Sequence, residues 1–291
     1  MNIIVTGFGG FVGRALCRRL RADGHAVTGF DAALPSDDPG FPMVRGNLVT
    51  GEGIDLLPWT DADAVIHLAA AGVKAPGRQW PICVQVNILG TMNLLRAVER
   101  APKAIRLVYA HTFYEDFVAT NASLGENPYV LSKFVTTRLV SDFGSRHRAG
   151  VFGAKLFQIY GPGDAPGNLV PHVASQLARG EKALIGSGAG LRDWLHVDDL
   201  AAGLEALLRL PSTGTFEDYD LGSGELVSIR QNMIDLADQF GPSARSLLDF
   251  DPARDRPDVD LAACAVRRIP GWTPSIGRIE GLKRLADAYR K

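Results

Sequence analysis

The chain has 291 residues, 46% hydrophobic and 22% charged, with 32 Gly and 17 Pro, a globular profile that excludes collagen, coiled coil and disorder. Its 31 Lys and Arg stand against 32 Asp and Glu with no long run of one sign, so nucleic acid is not expected as a partner. No stretch approaches the ~18 apolar residues of a membrane span, and MNIIVTGFGG lacks the basic start and cleavage site of a signal peptide, so a soluble, cytoplasmic protein without a membrane partner is expected.

Short apolar runs bounded by turn residues alternate with amphipathic segments whose apolar residues recur every three or four positions. That is the pattern of βαβ units on a parallel sheet. A strand is predicted at Asn2–Thr6, then a helix at Phe11–Ala22, then strands at Ala26–Phe30, Met43–Arg45 and Ala64–His67. A helix at Val86–Arg100, a strand at Ile105–Tyr109, a helix at Tyr129–Arg146 and a strand at Gly153–Ile159 follow. The Gly- and Pro-rich YGPGDAPGN, from Tyr160 to Asn168, marks a domain transition ahead of an amphipathic stretch that starts near Leu169. A further helix is predicted after Asp198, where VDD offers a carboxylate cap before LAAGLEALLRL, and a last one from about Ser275. Cys17, Cys83 and Cys264 are odd in number and far apart without CxxC spacing, so they read as reduced filler, and no metal site is expected.

The first strand runs straight into Gly7, Gly10 and Gly13, a GxxGxxG turn that opens a helix; the GxGxxG spacing would need a small residue at Val12. Glycine permits the tight turn and the close approach of backbone amides to a pyrophosphate at the positive end of the helix. The second strand ends in Asp31, at the distance where an acid binds the ribose hydroxyls of a dinucleotide. Ala32 and Ala33 follow it with no base beside the acid to receive a 2′-phosphate, which favours NAD over NADP.

In NPYVLSK, Pro128 sets a helix start, and Tyr129 and Lys133 share one face four residues apart. A tyrosine becomes a base near neutral pH only if its pKa of about 10 falls by about three units, roughly 4 kcal/mol, and a neighbouring ammonium supplies part of that.

Six segments in order, TGFGGFVG (Thr6 to Gly13), HLAA (His67 to Ala70), VNILGTMNLL (Val86 to Leu95), PYVLSK (Pro128 to Lys133), LFQIYGPGD (Leu156 to Asp164) and RDWLHVDDLAAG (Arg192 to Gly203), carry a likeness over nearly the whole length. The chain resembles the extended short-chain dehydrogenase/reductases, in their nucleotide-sugar epimerase/dehydratase group. The resemblance implies an α/β, Rossmann-type doubly wound parallel sheet that binds NAD, formed by residues 1–165 plus about 192–228. It also implies a smaller, partly discontinuous C-terminal substrate domain of residues 166–191 plus 229–291, an active site in the cleft between the two, and a homodimer paired through long helices.

By the same resemblance Tyr129 is the base on the sugar 4-hydroxyl, Lys133 binds the nicotinamide ribose and lowers the Tyr pKa, and Thr112 supplies the hydroxyl to the reacting oxygen. If Tyr114 anchors the alignment instead, Ala110 falls at that position and the hydroxyl is missing. His111 is expected to be a polar neighbour of the site or a loop residue satisfied by backbone. The cofactor contacts implied are Gly7, Gly10, Phe11, Val12, Gly13, Asp31, Asn47, Leu48, Leu68, Ala69, Ala70 and Asn87, with Tyr129 and Lys133. Lys74, in AGVKAPG, and Asn168, Arg192 and Arg256 are the expected contacts to a nucleoside-diphosphate sugar, and Gln158 stands where an Asn is customary.

The group's dehydratases carry an Asp-Glu pair directly after the hydroxyl residue. Phe113 and Tyr114 follow Thr112 here, and His111 and Thr112 follow Ala110, so dehydration is disfavoured under either alignment. The expectation is NAD-dependent 4-epimerisation through a transient 4-keto intermediate. The alternatives are a reductase or dehydrogenase of a nucleotide-linked or free sugar, and a non-catalytic NAD-binding scaffold.

Overall fold

Strands buried on both faces read as unbroken apolar runs, and Ile3–Val5 and Ala64–Ile66 are of this kind, each residue at most 1% exposed. The computed structural model describes residues 1–74, 77–255 and 261–290. In chain order the elements are β1 (Asn2–Thr6), α1 (Phe11–Ala22), β2 (Ala26–Asp31), β3 (Met43–Arg45), β4 (Ala64–His67), α2 (Trp80–Cys83), α3 (Thr91–Arg100), β5 (Arg106–Thr112), α4 (Ala122–Gly125) and α5 (Pro128–Gly144). There follow β6 (Val151–Leu156), β7 (Gln158–Tyr160), α6 (Leu169–Ala178), β8 (Ala183–Ile185), β9 (Leu191–His196), α7 (Val197–Leu207), β10 (Phe216–Leu221), β11 (Leu226–Ser228), α8 (Ile229–Asp238), β12 (Leu248–Phe250) and α9 (Arg278–Tyr289).

The chain divides into two units. The first holds Met1–Leu156, Ala201–Tyr219 and Ile269–Gly271; the second holds Phe157–Leu200, Asp220–Arg268 and Trp272–Lys291. The stretches 192–200 and 220–228 thus count with the second unit.

In the first, a seven-stranded sheet runs β10-β6-β5-β4-β1-β2-β3, and the pairings from β3 across to β6 are parallel. This is the doubly wound, Rossmann-type order, and it reverses direction between β1 and β4, where the carboxyl ends of the strands part and ligands of such sheets bind. Helix α1 turns Ala15, Leu16, Cys17 and Leu20 inward, each fully buried aliphatic contributing about 1.5–3 kcal/mol. A second core forms around Leu94, Leu107, Tyr109, Val140 and Val151.

Three elements ahead of α6 depart from expectation. β5 continues past Tyr109 to Thr112, with His111 opposite Lys155 and Thr112 opposite Leu156 in β6. His111 is therefore a strand residue, not a loop residue satisfied by backbone. The expected strand at Gly153–Ile159 breaks at Phe157 into β6 and β7, and β7 joins the three-stranded sheet β11-β9-β7. The expected helix at Val86–Arg100 starts as α2 and passes through a π-helical turn, Val84–Gly90, before α3; π-turns cluster at functional sites, and this one carries Asn87.

In the second unit α6, α8 and α9 close on Val173, Leu177, Met233, Leu236, Leu282 and Leu285. Buried carboxylates clip its loops. Asp193 accepts from the backbone of Ser223, Gly224 and Ala265, and Asp199 accepts from Ser275 and Ile276. Asp199 holds the two residues ahead of α9, which begins at Arg278 after the N-cap Gly277, later than the expected Ser275. No described helix is long and apolar enough to cross a membrane.

Candidate active site

At the β1–β4 switch point Gly7 has φ 72°, and a Cβ there would lie 2.7 Å from Ala69 N, so glycine alone lets the turn after β1 touch the turn after β4. A Cβ on Gly13 would lie 2.3 Å from Gly7 O, so the first helical turn folds directly against the loop. Helix α1 has no side-chain cap and no acid in its first turn, which leaves the amides of Phe11, Val12 and Gly13 to an anion. Asp31 ends β2 beside this turn, its carboxylate accepting from Gly9 N–H at 3.1 Å and Ala32 N–H at 2.8 Å. These residues fit a dinucleotide, with the amides for its pyrophosphate and the acid for a ribose.

The other expected cofactor residues surround the same strand ends. Leu68 N–H donates to Thr6 O at 3.1 Å, and Ala69 N–H to Thr6 Oγ1 at 3.4 Å, while Ala70 is exposed. Asn47 is exposed and caps its own turn through Val49 N–H at 2.9 Å; Leu48 is buried, its carbonyl held by Asn93 Nδ2 at 2.9 Å. Asn87 is 2% exposed and ties two segments together. Its Oδ1 accepts from Ala71 N–H at 2.8 Å, and its Nδ2 donates to Ala71 O at 3.0 Å and to Ser132 Oγ at 2.8 Å.

Helix α5 carries Tyr129 and Lys133, and Asn127 caps it by accepting from the N–H groups of Tyr129 and Val130 at 3.1 and 3.3 Å. Tyr129 is half-buried. The phenol is not lowered as expected from Lys133: burial and then the Glu115 carboxylate push it above the ordinary value, while Arg78 opposes them. Lys133 is buried, donates to Ala110 O at 2.6 Å and lies 4.1 Å from the centre of the Tyr109 ring. Burial pulls its pKa down to about 8 against the Glu115 charge, which raises it. Thr112 ends β5 and caps the one-turn helix Phe113–Phe117 in a capping box with Glu115.

Three groups at this site escaped the sequence reading. Glu115 is 7% exposed and turned inward, one position beyond the pair expected of a dehydratase. Its signal was present as T-x-x-E, the capping-box spacing from Thr112. Arg78 is anchored to Gly72 O at 3.0 Å and Val73 O at 2.8 Å and is the cation that lowers Tyr129 in this structure. Asp218, on β10, accepts from His111 Nε2 at 2.7 Å; no local pattern announces a partner 107 residues away.

Of the expected substrate contacts, Lys74 is exposed in the first unit. Asn168 and Arg192 belong to the second. Asn168 is the N-cap residue of α6 and donates to Asp164 Oδ1 at 2.7 Å. Arg192 is 4% exposed, its guanidinium donating to Leu191 O at 2.8 Å and Leu261 O at 2.5 Å. Arg256 lies outside the described residues.

A doubly wound sheet whose glycine turn, Asp31 and Tyr-Lys helix lie in one unit is of the dinucleotide-binding class. The chain belongs to the NAD dependent epimerase/dehydratase family, whose model matches residues 3–222. It is 28% identical over 320 residues to a dTDP-glucose 4,6-dehydratase of Streptomyces antibioticus, covering 100% of this chain and 92% of that one. It is 27% identical over 320 residues to the UDP-glucose 4-epimerase of Mycolicibacterium smegmatis, covering 100% and 99%. Among solved structures it resembles the UDP-glucose 4-epimerase of Thermus thermophilus in complex with NAD, with a TM-score of 0.81 and 24% identity over 100% and 99% of the two chains.

Proposed function

We propose that the protein is a nucleotide-sugar 4-epimerase that retains NAD in its first unit and works through a transient 4-keto sugar. The observation that carries this reading is the capped helix α5, which presents Tyr129 and Lys133 in the same unit as the Gly7–Gly13 turn and Asp31, with Phe113 and Tyr114 in place of a carboxylate pair after Thr112. NAD, when bound, supplies a positively charged ring that takes a hydride from the sugar carbon and gives it back to either face.

Tyr129 is assigned the proton of the sugar 4-hydroxyl, which its phenol, held above the ordinary value by burial and Glu115, would accept once Lys133 and the charge of a bound NAD bring it down. Lys133 supplies an ammonium on the same helix face, and its pKa of about 8 keeps most of it charged at neutral pH. The Thr112 hydroxyl accepts from backbone N–H, which leaves its own proton to donate to the reacting oxygen. The amides of Phe11, Val12 and Gly13 hold the cofactor pyrophosphate, and Asp31, free of any basic neighbour in sequence, selects the unphosphorylated ribose. Lys74, Asn168, Arg192 and Arg256 are assigned to the diphosphate and sugar.

The test is Tyr129→Phe. This variant should lose about 10²–10⁴-fold in turnover while still carrying NAD, since the glycine turn is untouched. Turnover within a few fold of the wild type would remove Tyr129 from the chemistry. A buried, protonated His111 one residue from Thr112 favours a second reading, a reductase or dehydrogenase, because net reduction consumes a proton that an epimerase recycles. In that case nicotinamide absorbance would change in proportion to product.

A further inference from the structure

The C-terminal end of β5 holds a cluster of ionisable groups that the proposed reaction leaves unused. The His111 side chain is 1% exposed, with Nε2 2.7 Å from Asp218 Oδ1 and Nδ1 3.4 Å from Glu115 Oε2. The first contact is a hydrogen bond, and the second is an ion-pair contact without hydrogen-bond alignment. Glu115 is fixed from the other side, its Oε1 accepting the Thr112 N–H at 3.3 Å. Asp218 lies 4.0 Å from Lys155, which pairs with Asp116 at 3.0 Å. Gly153 on β6 makes room for Asp218, since a Cβ there would lie 2.5 Å from Asp218 Oδ1.

We propose that His111, anchored by Asp218, is a positioning residue that holds the Glu115 carboxylate turned inward toward Lys133 and Tyr129. The surroundings are consistent in charge. β5 contributes Tyr109 and His111, the one-turn helix Tyr114, Glu115 and Asp116, α5 Tyr129 and Lys133, β6 Lys155, and β10 Asp218. Arg78 and Cys83 also face Tyr129, and His67 faces Lys133.

Burial opposes the imidazolium, but the hydrogen bond to Asp218 and the adjacent Glu115 carboxylate prevail and push its pKa up to about 9. Without His111, Glu115 loses its ion-pair partner and keeps the Thr112 N–H. Glu115 raises both Lys133 and Tyr129, so its placement sets the pH range in which the pair can exchange protons. Losing the charge lowers both pKa values together and moves the whole working range to lower pH.

The consequence for catalysis rests on Tyr129 and Lys133 being the reacting pair, but the electrostatic claim does not, so it is tested without substrate. Protein labelled with ¹³C in lysine side chains and histidine rings is titrated by NMR, with the Lys133 signal identified by its loss in Lys133→Arg. In the wild type the His111 ring should remain protonated through neutral pH, and Lys133 should titrate near 8. Glu115→Gln should lower the Lys133 midpoint by about one unit, His111→Gln should lower it likewise, and the double variant should lower it no further.

A neutral His111 ring at pH 7 in the wild type overturns the proposal whether or not the variants fold. So does a Lys133 midpoint unmoved in Glu115→Gln, or lowered there and unmoved in His111→Gln. Shifted midpoints in a protein that turns over no sugar nucleotide would leave this inference standing and sink the epimerase reading.

Discussion

His67 sits at the centre of a chain of hydrogen bonds that has one direction only. Thr91 Oγ1 is 2.6 Å from Asn87 O and must spend its proton there, so it accepts from His67 Nε2–H at 2.9 Å. In the neutral ring that burial enforces, His67 Nδ1 is then the acceptor for the Thr6 hydroxyl at 2.6 Å. Burial, and then the Lys133 charge, hold its pKa down at about 3. From Asn87 the network passes through Ser132 to the Tyr129 carbonyl, joining β1 to the helix that carries the phenol. The unfolded ring titrates near 6.5, so stability from the neutral form is complete above that pH and falls by about 5 kcal/mol as pH drops toward 3. His111 has the opposite sign. Its raised pKa makes its contribution, about 3 kcal/mol, complete below 6.5 and lost as pH rises through 9. Urea unfolding at a series of pH values should therefore show His67→Gln flattening the acid side and His111→Gln the alkaline side; unchanged slopes would contradict these assignments.

At the scale of elements, two local devices place the site. The turn into α1 depends on Gly13, where a Cβ would lie 2.6 Å from Phe8 Cα and closer still to Gly7 O. Gly13→Ala should destabilise the protein by about 1–3 kcal/mol and abolish retained NAD, as thermal unfolding and cofactor analysis would show. Full NAD content in that variant would move the pyrophosphate elsewhere. Helix α5 depends on Asn127, which holds the amides of Tyr129 and Val130, so Asn127→Ala should cost about 1 kcal/mol and loosen the first turn, where the phenol stands. Loss of stability with turnover untouched would show that the cap does not position Tyr129. Both devices are legible in sequence, as Gly spacing and as Asn-Pro before Tyr. The end of β5 was less so. Tyr109 looks like its last residue because the polar AHT follows, yet pairing with Lys155 and Leu156 carries the strand on until Thr112 caps the next turn. The π-turn around Asn87 is likewise invisible to a periodicity of 3.6, since one extra residue per turn blurs the apolar repeat.

At the scale of the whole molecule, the seven-stranded order and the family were readable because their landmarks are local and ordered. Thr6 to Gly13, Asp31 and the Tyr-Lys helix are each local in sequence, and all lie in the first unit. What stayed hidden depends on contacts distant in sequence. Asp218 meets His111 only because β10 lies beside β6, and the hydrogen bond from the Arg192 guanidinium to Leu261 O spans 69 residues. The most direct test of the epimerase reading takes the purified protein, with no cofactor added, and a panel of UDP- and dTDP-linked hexoses. Products are separated by chromatography and weighed by mass spectrometry while nicotinamide absorbance is followed. The account predicts that one sugar nucleotide equilibrates with its 4-epimer at unchanged mass, with absorbance returning to baseline. A product lighter by one water, or one oxidised or reduced with a matching change in nicotinamide, would contradict it.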